Sequence, residues 1–239
     1  MTWNGHVESD SDPNPLTAGT RALARPGRTT TETRTVPWER FCDPEQPYLA
    51  DNVRHWQRRA GFEHHRAGTV LVAFRACWLM LCATIPEYHL GTDFPSARGT
   101  RAVVTPDGFL HGLLPGPAVR TGTDEDRAVR WWTEVSALVT PLTRGLAGIG
   151  GPPADSDQYW GNAVGLIGEV LRRADRDGIG GDTLASALTL RAATGREDLV
   201  RVTATPEGLW TRRRTCCQMW RSGTGYCTEC VLHDSPARG

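Results

Sequence analysis

The sequence predicts an α+β fold, in which a mainly helical domain packs on a small antiparallel sheet and a lobe with four cysteines follows near the C-terminus. Three observations predict this class. Apolar residues recur at helical spacing through most of the chain. Two pairs of short extended runs flank the turns Pro-Asp-Gly (106–108) and Pro-Glu-Gly (206–208), as in β-hairpins. The four cysteines fall within residues 216–230.

Three regions follow from the composition. Residues 1–36 are polar and rich in proline, and such a segment cannot offset the entropy of ordering, so we expect a disordered tail. Residues 37–198 form the helical α+β domain, and residues 199–239 form a hairpin with the cysteine lobe. A chain of 239 residues is long enough for one domain with a sizeable core and a small module.

Two helices are predicted in the first half of the domain. The first spans residues 44–62, where apolar residues share one side. The second spans residues 69–85 and ends at Pro86; because it is apolar nearly all round, it should be central. Arg75 lies within it and needs a carboxylate or carbonyl partner if it is buried.

A hairpin and a third helix follow. The hairpin covers residues 101–113, and the helix begins at Thr123 and is kinked or split at Pro141. Residues 145–153 are expected to be a loop. The helix should direct four residues toward the core: Val129, Trp132, Val135 and Leu138.

The last elements are two capped helices and a second hairpin. Ser156 is placed to cap a helix that runs to about Asp175, and Asp182 to cap a helix over residues 183–194. The second hairpin, residues 199–214, leads directly into the cysteines. Because the two hairpins have similar sequences, we expect both in one antiparallel sheet.

Composition limits the function classes. The formal net charge is zero, which indicates no general affinity for nucleic acid or membrane. All 27 basic residues are arginine, which excludes a Walker A loop and a Schiff-base lysine. The longest apolar run is interrupted by Arg75 and is shorter than the roughly 20 residues of a membrane span, so we expect no stable membrane insertion.

The sequence predicts a cytoplasmic protein. No signal-peptide pattern is visible at the N-terminus, and the seven cysteines are an odd number, which favours a reducing compartment. Two of them, Cys77 and Cys82, lie in the apolar run, where a cysteine is usually a small buried apolar residue.

The candidate cofactor ligands are Cys216, Cys217, Cys227 and Cys230. A C-x2-C pair directs two sulfurs toward one metal, and the adjacent Cys-Cys pair can supply the other two. Four soft thiolates select an iron–sulfur cluster or a structural zinc over harder ions.

The same residues carry a resemblance to a family. Arg-Arg-Thr-Cys-Cys (213–217), a glycine-containing loop and Cys-Thr-Glu-Cys (227–230) resemble the C-terminal motif of the ferric-siderophore reductases of the FhuF-like family. The loop between the two cysteine pairs is one residue shorter than is usual there. Tyr-Trp-Gly-Asn-Ala (159–163) resembles the Trp-Gly-Asn-Ala stretch that opens a helix in that family, and Asn162 could brace the cysteine segment through its amide.

The resemblance implies a fold, a cofactor and a reaction. It implies that the four cysteines hold a 2Fe–2S cluster, so that the C-terminus is an iron–sulfur lobe. It implies transfer of one electron from that cluster to Fe(III) in a ferric siderophore, with release of Fe(II). Because no flavin or nicotinamide motif is present, the electron must come from another protein such as a ferredoxin.

The candidate substrate-binding residues are Arg213, Arg214, Arg221 and Trp220. Cations near a cluster raise its reduction potential and attract an anionic chelate or an acidic electron donor. The alternative is a solvated strand edge protected by charge. Trp220 would shield the sulfurs or stack on an aromatic ligand, or it would simply pack within the lobe.

Two other functions remain open. The cysteines could form a structural zinc knot of a non-enzymatic protein that binds a partner. They could also hold the cluster of an electron carrier or redox sensor that never meets a siderophore.

Overall fold

The computed structural model describes residues 32–61, 63–119, 124–205, 208–222 and 231. These residues form an α+β fold. In chain order the elements are β1 (Arg34–Pro37), α1 (Trp38–Cys42), α2 (Pro47–Ala60), α3 (His65–His89), β2 (Phe94–Pro95), β3 (Arg101–Val104), β4 (Leu110–Leu114), β5 (Ala118–Val119), α4 (Asp124–Gly148), α5 (Asp157–Arg176), α6 (Thr183–Ala193), β6 (Val200–Thr205) and β7 (Gly208–Arg213), with 3₁₀ turns at Glu197–Leu199 and Met219–Ser222.

Helix α3 is central, as predicted. It packs against α2, α4 and α5, and 78% of its most apolar stretch is buried in the protein. By length and composition alone it is also the one helix of the described chain that could cross a membrane, but buried core helices pass the same test. The prediction that Pro86 ends this helix is wrong. Pro86 lies in the last turn, and the helix closes one turn later, where the Leu90 amide donates to the Pro86 carbonyl.

Within the described part of the chain the strands form three small antiparallel sheets rather than one. The first hairpin, β3–β4, is joined by β1 in the order β1-β3-β4, while β6 pairs there only with β7 and β2 only with β5. The prediction of a sheet shared by the two hairpins is therefore wrong. Residues 34–36, which we assigned to the tail, are ordered because they pair with β3 and bury Val36. Residues 1–31 lie outside the described part of the chain.

Helix α4 differs from the prediction in its buried face and its length. Val129 is 59% exposed, and Trp131 occupies the core instead, together with Val135 and Leu138. Pro141 does not split the helix, which continues through residues 145–148 of the predicted loop. The predicted start, Thr123, lies outside the described residues.

The two capped helices are confirmed. Ser156 Oγ accepts a hydrogen bond from the backbone N–H of Gln158 at 3.3 Å at the start of α5. Asp182 Oδ1 accepts one from the Ala185 amide at 2.8 Å at the start of α6. Helix α5 packs on one side against α3 and on the other against the β6–β7 hairpin, so it connects the core with the strand that leads into the cysteines.

Candidate functional site

Six of the eight predicted site residues are described, and they lie at the end of β7 and in the turn that follows it. Cys227 and Cys230 lie outside the described residues. The described six are Arg213, Arg214, Cys216, Cys217, Trp220 and Arg221.

A row of glycines on α5 sets the position of β7. A Cβ on Gly168 would lie 1.9 Å from Thr211 Cγ2, and a Cβ on Gly165 would lie 2.3 Å from Arg213 Cδ. Real Cβ atoms essentially never approach another atom so closely. Side chains of β7 therefore lie directly against the helix backbone at these two glycines, and a Cβ at either position would force the strand's side chains to move.

The third glycine of the row reaches the residue just before the cysteines. A Cβ on Gly161 would lie 2.1 Å from Thr215 Oγ1. The three glycines are spaced i, i+4 and i+7, which places them on one face of the helix. Thr211, Arg213 and Thr215, which alternate along β7 and just beyond it, lie against this face. These contacts set the direction in which the chain continues from β7 to Cys216 and Cys217.

Arg213 is a buried cation rather than a surface group. Its side chain is 4% exposed, and Nη1 donates to Asn162 Oδ1 at 2.9 Å. Its guanidinium also lies 5.7 Å from the ring centre of Phe74 on α3, a cation–π distance. Asn162, which we expected to brace the cysteine segment, instead holds Arg213 at the end of β7, three residues before the first cysteine.

Arg214 points the other way and is exposed. It forms ion pairs with Asp157 at 3.0 Å and with Asp198 at 2.7 Å. These two carboxylates offset its charge, so Arg214 contributes less to an anion site than the sequence suggested. The pair with Asp157 also links the end of β7 to the start of α5, and the pair with Asp198 links it to the turn Glu197–Leu199.

The turn after the cysteine pair has an unusual backbone. Gln218 has φ +64°, which is costly for a residue with a side chain. Its backbone N–H donates to Cys216 Sγ at 3.4 Å. Such left-handed residues occur where the surrounding structure needs a particular turn. Here the turn places an N–H donor on a cysteine sulfur, and amide donors to sulfur stabilise the charge of a ligating thiolate.

Trp220 and Arg221 cover this turn. The Arg221 guanidinium lies 4.6 Å from the Trp220 ring centre, and its Nε donates to Gln218 Oε1 at 2.6 Å. Arg221 is exposed and Trp220 is half-buried. Trp220 is therefore partly open to a ligand, and its stacked guanidinium puts a positive charge beside the cysteines.

The residues present fit the first half of a four-thiolate site. Cys217 is 3% exposed, whereas Cys216 is half-buried and accepts the amide donor described above. Among the residues that the structure describes, no group of three or more potential ligands is assembled. The second predicted pair lies outside those residues, so of the four predicted ligands only Cys216 and Cys217 can be placed.

The other three cysteines pack with the apolar core, where Cys42 and Cys77 are buried and Cys82 is half-buried. Burial raises the pKa of Cys77 to about 12, and burial likewise raises the pKa of Cys82 to about 12. Cys42 also has a raised pKa, caused first by burial and then by Glu39. Thiols held protonated in this way are poor metal ligands and poor nucleophiles.

Sequence reasoning missed the glycine row and the left-handed Gln218. The spacing of Gly161, Gly165 and Gly168 was a readable signal for close packing on one helix face. Nothing in the sequence indicated the backbone conformation of Gln218.

The fold and the site together define an α+β protein in which a buried arginine and a glycine-faced helix position a cysteine pair. No protein-family model, no curated protein and no solved structure matches the chain.

Proposed function

We propose that the chain is a cytoplasmic ferric-siderophore reductase of the FhuF-like kind, which passes one electron from a 2Fe–2S cluster to chelated Fe(III) and so releases Fe(II). The observation that carries the proposal is a contact between the two stretches on which the resemblance rests. Gly161 lies against Thr215, and Asn162 holds Arg213, although the two stretches are about 50 residues apart in the chain. Two motifs that meet in space support one shared site better than either motif does alone.

The four cysteines would hold the cluster, and the cluster would supply one-electron redox chemistry when bound. The chain's own residues prepare the site for a negatively charged group. The backbone N–H of Gln218 donates to the Cys216 sulfur. The buried Arg213 keeps a positive charge three residues before Cys216 in the chain. Hydrogen bonds to sulfur and nearby cations both favour the more negative, reduced state.

The substrate is a chelate of Fe(III) with hard oxygen donors. One electron from the donor protein converts Fe(III) to Fe(II), and the softer, larger ion is held far more weakly by those donors. The siderophore is not chemically changed, so no acid–base residue is needed. Arg221 and the half-buried ring of Trp220 lie where an anionic chelate would approach the cysteines.

The test is a single-turnover reduction without air. Protein reduced with dithionite and freed of excess reductant is mixed with a ferric siderophore and a ferrous-iron trap. We expect trapped Fe(II) to appear as the protein is reoxidised, and we expect Cys216→Ser to abolish it. Cys77→Ala is the matched control, because Cys77 is buried in α3 and is not a predicted ligand.

Two outcomes would contradict the proposal. A colourless protein with bound zinc would indicate the zinc knot. A coloured protein that stays reduced, with no Fe(II) trapped, would indicate an electron carrier or redox sensor.

A further inference from the structure

Four oxidisable aromatic side chains form a continuous row through the core, which we call the aromatic chain. The ring centres of Trp160 and Trp132 are 6.0 Å apart, and those of Trp132 and Trp131 are also 6.0 Å apart. The ring of Tyr88 follows at 6.2 Å from that of Trp131. Each step is a ring–ring contact, so the aromatic chain connects three helices, α5, α4 and α3, without a gap.

One end of the aromatic chain lies beside the cysteine segment. Trp160 precedes Gly161 near the start of α5, and Gly161 lies directly against Thr215, the residue before Cys216. Trp160 is buried, and its indole N–H donates to the carbonyl of Ala154 at 3.1 Å. Trp160 is therefore the member of the aromatic chain that adjoins the segment bearing the cysteines.

The other end of the aromatic chain approaches the surface. Trp131 is fully buried, and its indole N–H donates to Thr84 Oγ1 at 3.1 Å. Tyr88 lies near the end of α3 and is half-buried. The aromatic chain therefore leads from the cysteine segment through the core to a side chain that is partly open to solvent.

The charges along the aromatic chain suit the movement of a positive charge away from the cysteines. Indole and phenol rings can each lose one electron, and a phenol loses its proton at the same time. The guanidinium of Arg196 lies 4.7 Å from the ring centre of Trp160, and it opposes a lasting positive charge on that ring. The guanidinium of Arg127 lies 5.4 Å from the ring centre of Tyr88, but a tyrosyl radical is uncharged, so Arg127 does not oppose it.

The cysteine sulfurs are the groups that such a path would protect. Cys216 is half-buried and so within reach of small oxidants. Oxidation of a thiolate leads to sulfenic acid and then to sulfinic and sulfonic acids, of which the last is irreversible. A ligating cysteine oxidised in this way is lost to the site.

We propose that the aromatic chain carries oxidising equivalents away from the cysteines to Tyr88 when iron at the site meets peroxide. This inference rests on the proposed function for the source of the iron. Fe(II) and hydrogen peroxide give Fe(III), hydroxide and a hydroxyl radical. The radical takes one electron from Trp160 and becomes hydroxide.

The remaining steps return Trp160 to its starting state. Trp132 supplies the electron that Trp160 has lost, and Trp131 supplies the next. Tyr88 supplies the last electron, and its phenolic proton passes to water. A small reductant in solution, such as ascorbate or a thiol, then restores Tyr88 by giving back a hydrogen atom.

The test is a peroxide challenge of the reduced protein, read by freeze-quench EPR and by mass spectrometry of the cysteines. Ethanol is present to remove radicals that reach the bulk solution. We expect a tyrosyl signal in the wild type. Trp132→Phe keeps an aromatic ring but interrupts the aromatic chain, so it should lose the signal and oxidise Cys216 faster. Tyr88→Phe should have the same two effects, which also assigns the signal to Tyr88.

Trp78→Phe is the matched control. Trp78 is a half-buried tryptophan of α3 that is not part of the aromatic chain. This variant should keep both the tyrosyl signal and the wild-type rate of cysteine oxidation.

The outcomes separate this inference from the function itself. No tyrosyl signal in the wild type, or an unchanged signal in Trp132→Phe, overturns the path, as does unchanged cysteine oxidation in Tyr88→Phe. A ferrous-iron trap in parallel samples without peroxide reports the reductase. Fe(II) release without a tyrosyl signal overturns the path alone, whereas a chain-dependent signal without Fe(II) release supports the path and overturns the reductase. Melting curves identify a variant that fails to fold, and the other variant then decides.

Discussion

Replacing Gly168 by alanine tests whether α5 seats the strand that leads to the cysteines. The new Cβ would lie 1.9 Å from Thr211 Cγ2, and ordinary contact begins at 3.4 Å. Thr211 is 2% exposed and, being β-branched, cannot rotate away freely. The strand or the helix must therefore move.

The magnitude follows from two opposing terms. Overpacking costs about 1–3 kcal/mol, and a contact this short belongs at the upper end. Alanine gains about 1 kcal/mol over glycine inside a helix. We expect Gly168→Ala to lower the free energy of unfolding by about 2 kcal/mol, and the melting temperature by about 4–8 °C for a chain of this size.

The assay is thermal and denaturant unfolding of a double-mutant cycle. Thr211→Ser keeps the hydroxyl but removes Cγ2, so Gly168→Ala in that background should be neutral or stabilise the protein by up to about 1 kcal/mol. Gly180→Ala is the control, because nothing lies within 4 Å of a Cβ there. If Gly168→Ala is harmless, or Thr211→Ser does not rescue it, the close seating of β7 on α5 is refuted.

Three further predictions concern single residues. Gln218→Gly should relieve about 1 kcal/mol of left-handed strain and keep the iron content. Gln218→Pro cannot adopt φ +64° and lacks the backbone N–H that donates to Cys216, so metal analysis should show a loss of iron. Asn162→Ala should cost about 1–3 kcal/mol in urea unfolding, because a buried guanidinium loses its acceptor; an unchanged midpoint would argue against the brace. The pKa of Asp107 is lowered, first by the hydroxyl of Thr105, so its stabilising contribution is present above the ordinary value of 3.8 and disappears as pH falls through the lower folded pKa. The melting temperature of Asp107→Asn should therefore lie below that of the wild type at pH 7 and approach it in acid, and a gap that widens in acid would contradict the sign.

Local signals predicted most of the helices and hairpins. The caps at Ser156 and Asp182 act within one turn, so the sequence alone identifies them. The errors arose where tertiary packing decides. Val129 and Trp131 both fit a helical apolar pattern, and only the neighbouring helices determine which one is buried.

The candidate site was predicted in part for the same reason. Cys216 and Cys217 follow from residue type and spacing. The burial of Arg213 does not, because strand alternation alone would let an arginine face water. It depends on Gly165 leaving space on α5 and on Asn162 accepting from the guanidinium, and both lie about 50 residues away in the chain.

The most direct test of the central claim is metal and sulfide analysis of protein purified without air, together with its visible and EPR spectra. The account predicts a red-brown protein with iron and acid-labile sulfide in equal amounts, which Cys216→Ser and Cys230→Ser lose and Cys77→Ala retains. A colourless protein with zinc and no sulfide, even after reconstitution with iron and sulfide, would contradict it.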